Sequence, residues 1–114
     1  MSQAQNTSDS NQRQTAPVQR PQRKELPTFN VVLLDDNDHT HDYVIDMLQR
    51  LFAHEHPTAM ALAQAVDSRG RAIVCTTHKE RAELKRDQIL AFGCDYRIPN
   101  CQASMRAVLE PAVG

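Results

Sequence analysis

No apolar run in this chain approaches the length of a membrane span, and its polar N-terminus has no apolar signal-peptide core. We therefore expect a cytoplasmic protein. Its cysteines, Cys75, Cys94 and Cys101, are odd in number and show no CxxC spacing, which argues against a disulfide framework. Cys75 reads as a buried strand thiol and the other two as loop or strand-edge residues. A zinc site from Cys94, Cys101 and a histidine matches no common spacing. Also missing are a convincing nucleophile–base pair, a phosphate loop and a cofactor motif, so we expect no enzyme and no cofactor. Between residues 2 and 25 the only apolar side chains are Ala4, Ala16 and Val18. Such a composition cannot offset the entropy of ordering. We expect residues 1–25 to be a disordered N-terminal extension and residues 26–114 to form one small domain, of a size that just sustains a core.

The formal net charge of −1 is unevenly placed. Arg13, Arg20, Arg23 and Lys24 against Asp9 and Glu25 make the extension +2, which leaves the domain at −3. A domain of that sign is a poor nucleic-acid binder, and four spaced cations fall short of a basic arm. Neither nucleic acid nor membrane is expected as a partner.

What the chain does have is an apolar run, Val31 to Leu34, that empties into Asp35, Asp36, Asn37, Asp38, His39, Thr40, His41 and Asp42. Four carboxylates and two imidazoles in eight residues suit a cation. The run before them reads as a buried strand and Tyr43 to Leu48 after them as helix, so the cluster sits on a strand-to-helix turn, where binding residues collect.

Periodicity supplies the remaining elements. Phe29–Leu34 is the first strand. Thr40 or His39 caps a helix whose Val44, Met47, Leu48 and Leu51 form one apolar stripe, with Asp42, Asp46 and Arg50 opposite. Pro57 opens a second helix, through Ala59, Met60, Leu62, Ala63 and Val66, that stops at Gly70. Arg71–Thr76 is the second strand. Thr77-His78-Lys79-Glu80 has the form of a capping box for a third helix with Ala82, Ile89 and Phe92 on its buried face, ended by Gly93. After a loop from Cys94 to Cys101, Ser104–Glu110 alternates as a third strand, with Met105, Ala107 and Leu109 on one side and Pro111 as its end. The expected class is α+β, a small three-stranded antiparallel sheet with three helices in the order βααβαβ.

Several readings of the acidic turn stand side by side. Asp and Asn at a helix N-terminus are expected merely because they cap it and oppose its dipole. A two-component receiver carries a similar acidic pair after its first strand, but it needs a phosphoacceptor Asp ending a later strand, and here no Asp follows Val74-Cys75-Thr76-Thr77 until Asp87. A metal site from Asp36, Asp38, His39 and His41 lacks the glycine and bidentate Glu of a calcium loop.

The segment Val32 to Leu48 resembles the signature of the ClpS family, an apolar strand, an Asn-Asp-Asp-like turn, a Thr-containing cap and a Val-Ile-Asp/Glu helix. Ala65-Val66-Asp67-Ser68-Arg69-Gly70-Arg71-Ala72 is similar to the family's Ala-Val-His-x-x-Gly-x-Ala. The resemblance covers about residues 27 to 111. It implies a βααβαβ core related to the C-terminal domain of the large ribosomal stalk protein. It also implies a non-enzymatic, monomeric adaptor that binds the N-terminal residue of substrate proteins and delivers them to a Clp-type AAA+ unfoldase. The runner-up is a regulatory or metal-binding domain of the same fold that has lost N-terminal recognition, with Asp38, His39 and His41 as its ligands.

Carried over by position, the resemblance implies α-amino binding by Asp35, Asp36 and Asp67, standing where the family has Asn, Asp and His. Asn37, His39, Thr40, His41, Val44, Met47, Ala63, Val66 and Met105 would line the side-chain pocket. His39 and Thr40 replace a Thr-Pro pair, and His41 and Ala63 take the places of Met residues. An α-ammonium has three donors and needs fixed acceptors. The apolar side chain that follows it supplies roughly 1.5 to 3 kcal/mol on burial and selects the residue. Glu80 and Lys85 align with family residues that dock on the unfoldase N-terminal domain, and the extension would reach toward the unfoldase pore.

Overall fold

The computed structural model describes residues 26–36, 38–99, 101 and 103–112. The expected disorder of residues 1–25 and the assignment of Asn37 to the pocket lie outside these described residues.

Three strands and three helices follow in the expected order. They are β1 (Thr28–Leu34), α1 (His41–Phe52), α2 (His56–Arg69), β2 (Arg71–His78), α3 (Lys79–Leu90) and β3 (Arg106–Pro111). The sheet runs β2-β1-β3, antiparallel throughout, with β1 in the centre because its Val-Val-Leu run tolerates neighbours on both edges. Val31 lies opposite Cys75 and Leu109, and Leu33 opposite Ala72 and Ala107. These residues face the helices and build one core with Tyr43, Val44, Met47, Leu48, Ala59, Ala63, Val66, Ala82, Ile89 and Met105. Val32 points the other way, paired with Ile73 and Val108, and is fully buried while those two stay exposed. Among the described residues no helix is long and apolar enough to cross a membrane.

The helix boundaries have local causes. Thr40, in extended conformation, accepts the Tyr43 amide on its hydroxyl and caps α1. Pro57 stands in the first turn of α2, and Gly70 closes that helix at φ 83°, a conformation that costs a glycine nothing. Five expectations are corrected. The second strand continues to His78, since Thr77 pairs with Phe29 in the sheet. Its backbone is therefore spent on the ladder, no capping box forms, and His78 precedes α3 without a side-chain cap. The third helix ends at Leu90, with Gly93 in the loop beyond it at φ 104°. The third strand starts at Arg106, because Ser104 is drawn to Gly93, whose carbonyl it donates to and whose amide it accepts. Cys75 is half-buried against the core, not fully buried.

Candidate functional site

The turn from β1 to α1 is held from both ends. The Asp35 amide donates to the Gly70 carbonyl at 3.0 Å, which fixes the acidic turn beside the end of α2. Asp36 folds back on the turn. Its Oδ1 accepts the amides of Asp38 at 3.0 Å and His39 at 3.3 Å, an Asx-type arrangement, and its Oδ2 meets His39 Nδ1 at 2.6 Å. The other ring nitrogen, Nε2, lies 2.9 Å from the Ala103 carbonyl oxygen. Two acceptors facing both nitrogens favour the imidazolium form. Burial works against that charge, but the Ala103 carbonyl and the Asp36 carboxylate outweigh it and raise the His39 pKa above its ordinary value.

A residue that no motif singled out fastens the same turn. Asp95, in the loop after α3, is a fully covered carboxylate that accepts the Thr40 amide at 3.0 Å, the Thr40 hydroxyl at 2.8 Å, and the Arg97 amide and guanidinium, each at 3.0 Å. Burial alone would raise its pKa. Donors from Thr40 and Arg97 overcome that and lower it to about 2. Thr40 thus caps α1 with its hydroxyl oxygen while giving that hydroxyl's proton to Asp95.

The far side of the site joins α1 to α2. His41 Nε2 stands 3.7 Å from Asp67 Oδ2, and both side chains are more than half exposed. Beneath them Val44, Met47, Ala63, Val66 and Met105 are each 3% exposed or less and belong to the continuous core. Asp36, Asp38 and His39 instead line a cavity of about 430 Å³ with Ile98, Cys101 and Ser104. Asp67 borders a separate, shallower hollow on the outer face of α2. Asp35 and Asp67 are therefore gathered near the end of α2, whereas Asp36 turns toward the loop before β3. The metal reading is corrected here. His39 is engaged by Asp36 and Ala103 and His41 faces Asp67, so Asp38, His39 and His41 do not converge. Among the described residues no group of three or more His, Cys, Asp or Glu side chains is placed to hold a metal ion.

On α3, Glu80 is exposed, beside a small apolar hollow that includes Leu26 and Pro27. Lys85 is engaged within the molecule. Its ammonium donates to the Leu51 carbonyl at the end of α1 and lies 5.5 Å from the Phe52 ring centroid.

The family model of the ATP-dependent Clp protease adaptor protein ClpS matches residues 24–96. The ATP-dependent Clp protease adapter protein ClpS of Hydrogenovibrio crunogenus is 32% identical over 89 residues, 78% of this chain and 85% of that protein. Its counterpart in Roseobacter denitrificans is 30% identical over 80 residues, 70% of this chain and 71% of that protein. In three dimensions the chain is similar to Agrobacterium tumefaciens ClpS2, solved bound to L-phenylalaninamide. The TM-score is 0.66 at 20% identity, over 77% of this chain and 100% of that one.

Proposed function

The chain belongs to the ClpS family of ATP-dependent Clp protease adaptors, and from that membership we propose that it binds the N-terminal residue of substrate proteins and delivers them to a Clp-type AAA+ unfoldase. It is an adaptor of the Clp protease and not an enzyme. The observation that carries the proposal is the closure of the acidic turn onto the end of α2 through the Asp35–Gly70 hydrogen bond and the His41–Asp67 contact. It gathers carboxylates from two elements at one rim above apolar side chains.

Donor and acceptor counts fit an α-ammonium. A carboxylate offers about four acceptor positions, and Asp36, turned toward the loop before β3, has three filled by Asp38 and His39, so its part is to hold the turn in shape. Asp35 and Asp67, near the end of α2, supply the acceptors for the ligand. Val44 follows His41 by three residues and Ala63 precedes Asp67 by four, so both lie on the helix faces directly under that pair. An incoming side chain parts His41 from Asp67 and enters between α1 and α2, where Val44, Met47, Ala63, Val66 and Met105 now close the space. The smallness of Ala63 and the charge of Asp67 adjust which side chain is preferred. Glu80, with its apolar neighbours Leu26 and Pro27, forms the docking face toward the N-terminal domain of the unfoldase.

Calorimetry with peptides beginning Leu, Phe, Trp and Arg and with acetyl-Leu tests the recognition step, with L-phenylalaninamide as the minimal ligand. Free-amino apolar peptides are expected to bind and acetyl-Leu to fail. Asp67→Asn is expected to weaken binding by tenfold or more, since hydrogen bonds to charged groups are worth about 1.5 to 3 kcal/mol. Equal, negligible binding to all five would sink the proposal.

A further inference from the structure

The acidic turn has two sides. Asp35 and Asp67 stand near the end of α2, whereas the cavity of about 430 Å³ opens on the other side, between the turn and the loop from α3 to β3. That loop is fastened to the turn at two points. Asp95 accepts the amide and hydroxyl of Thr40, and the Ala103 carbonyl meets His39 Nε2 at 2.9 Å. The cavity walls are thus held in place by the fold itself. The loop wall presents Ile98, Pro99 and Ala103, all beyond residue 96, where the match to the family ends. Its polar side chains are already engaged, Ser104 with the Gly93 backbone and the Cys101 thiol with the Ala103 carbonyl. What this wall offers is apolar.

The facing wall decides what such a space accepts. Asp36 Oδ2 and His39 Nδ1 meet at 2.6 Å with side chains only 21% and 5% exposed, so their charges offset each other within the wall. Asp38 donates its amide to Asp36, and its exposed carboxylate has no partner among the described residues. An apolar wall with one uncompensated negative charge beside it suits a side chain that has an apolar stem and a cationic head.

We propose that this cavity is a second subsite, which takes the Lys or Arg side chain at the second position of a substrate N-terminus. The inference rests on the recognition reading above. A peptide whose α-ammonium is bound by Asp35 and Asp67 begins on the α2 side of the turn. An extended chain advances about 3.3 Å per residue and points successive side chains to opposite sides. The Cα atoms of Asp35 and Asp36 are about 3.8 Å apart, so one residue of peptide spans the step from the first carboxylate to the second. With the first side chain between α1 and α2, the second lies on the loop side of the turn, over the cavity. Its methylenes pack along Ile98 and Pro99, and its cation meets Asp38. A glutamate in the same place sets like charges together and is disfavoured.

The test is calorimetry on the full chain with L-phenylalaninamide and with peptides that begin with Leu and differ only in a second residue of Lys, norleucine or Glu. L-Phenylalaninamide has no second residue and reports the first subsite alone, while norleucine carries the stem without the charge. The Lys peptide is expected to bind about threefold or more tighter than the norleucine peptide, and the Glu peptide more weakly than both. Asp38→Asn is expected to bring the Lys peptide down to the norleucine level. Asp42→Asn, an exposed carboxylate in the first turn of α1 that does not line the cavity, should keep the difference. Ala103→Phe fills the cavity and is expected to weaken the Lys and norleucine peptides by about threefold or more, since each buried methylene is worth about 0.8 kcal/mol. All three variants should bind L-phenylalaninamide like the natural chain. Equal affinities for the three peptides alongside normal binding of L-phenylalaninamide would overturn the second subsite and leave the recognition reading intact. Equal losses in Asp38→Asn and Asp42→Asn would also overturn it, since they would reveal only a general preference for cations. Failure of the natural chain to bind L-phenylalaninamide would bring down the recognition reading, and the second subsite with it.

Discussion

At the scale of single residues, Asp95 has the clearest energetic signature. Its carboxyl has an ordinary pKa of 3.8 and is held at about 2 by donors from Thr40 and Arg97. A folded-state pKa below the unfolded one means that the ionised form stabilises the fold. That contribution is complete above about pH 5, shrinks as pH falls through about 4, and is gone below about 2, amounting to roughly 2 kcal/mol at neutral pH. Asp95→Asn is therefore expected to lower the unfolding free energy at pH 7 by about that much, with the gap to the natural chain narrowing below pH 4. Urea titrations at several pH values check it, and a gap that stays constant down to pH 2.5 would count against it. None of this was legible in the sequence, because Asp95 meets Thr40 across 55 positions and a Cys-Asp-Tyr-Arg loop carries no local signal. The acidic turn was legible as a place for a cation. Which carboxylate turns where was not, since His39 pulls Asp36 toward Ala103 and His41 draws Asp67 to α1.

At the scale of elements, α1 shows why some assignments follow from pattern and others do not. Its stripe of Val44, Met47 and Leu48 repeats with the helical period and is buried as that period requires. The presumed capping box also has the right letters, but letters report only what a segment could do in isolation. Thr77 is β-branched and Phe29 waits opposite, so the strand wins the residue. The C-terminal end of α1 exposes carbonyls that need donors. Ala53 at φ 57° turns its amide back to Gln49, the His54 amide reaches the Leu48 carbonyl, and Lys85 from α3 reaches the Leu51 carbonyl. Lys85 thus ties α3 to α1, and Glu80 on the same helix has no such duty in the fold. Lys85→Met is expected to cost about 1 kcal/mol of stability, from a lost hydrogen bond to a helix end and a lost contact with the Phe52 ring. Glu80→Lys is expected to leave stability within about 0.5 kcal/mol and to weaken capture by the isolated N-terminal domain of the unfoldase. Thermal melts and a binding titration separate the two. Equal destabilisation by both variants would show that the docking residue and the fold residue had been wrongly divided.

At the scale of the whole molecule, the core runs from Phe29 to Leu109 and draws on both outer strands of the sheet as well as all three helices. Its order βααβαβ could be read from periodicity, and the match to the ClpS family agrees with it. The antiparallel order β2-β1-β3 adds that the two segments bearing the candidate α-amino ligands, the turn after β1 and the end of α2 before β2, emerge at one end of neighbouring strands. Every candidate ligand for a peptide N-terminus thus lies within residues 35–105, and none is in residues 1–25. Those first residues carry a charge of +2 against −3 for the rest and contain few apolar groups to bury. Their proposed part is delivery. A polar chain tethered to a docked adaptor is presented to the unfoldase at high effective concentration without needing affinity of its own. Removal of residues 2–25 is then expected to leave peptide affinity within about twofold and the unfolding midpoint nearly unchanged, because the core of the described residues runs from Phe29 to Leu109. The same removal is expected to slow degradation of a substrate bearing an N-terminal Leu or Phe by the unfoldase–protease pair. Calorimetry and a degradation assay on the same preparation check both halves. Loss of peptide binding on truncation would place the extension in the binding site and overturn the division between a recognising domain and a delivering tail.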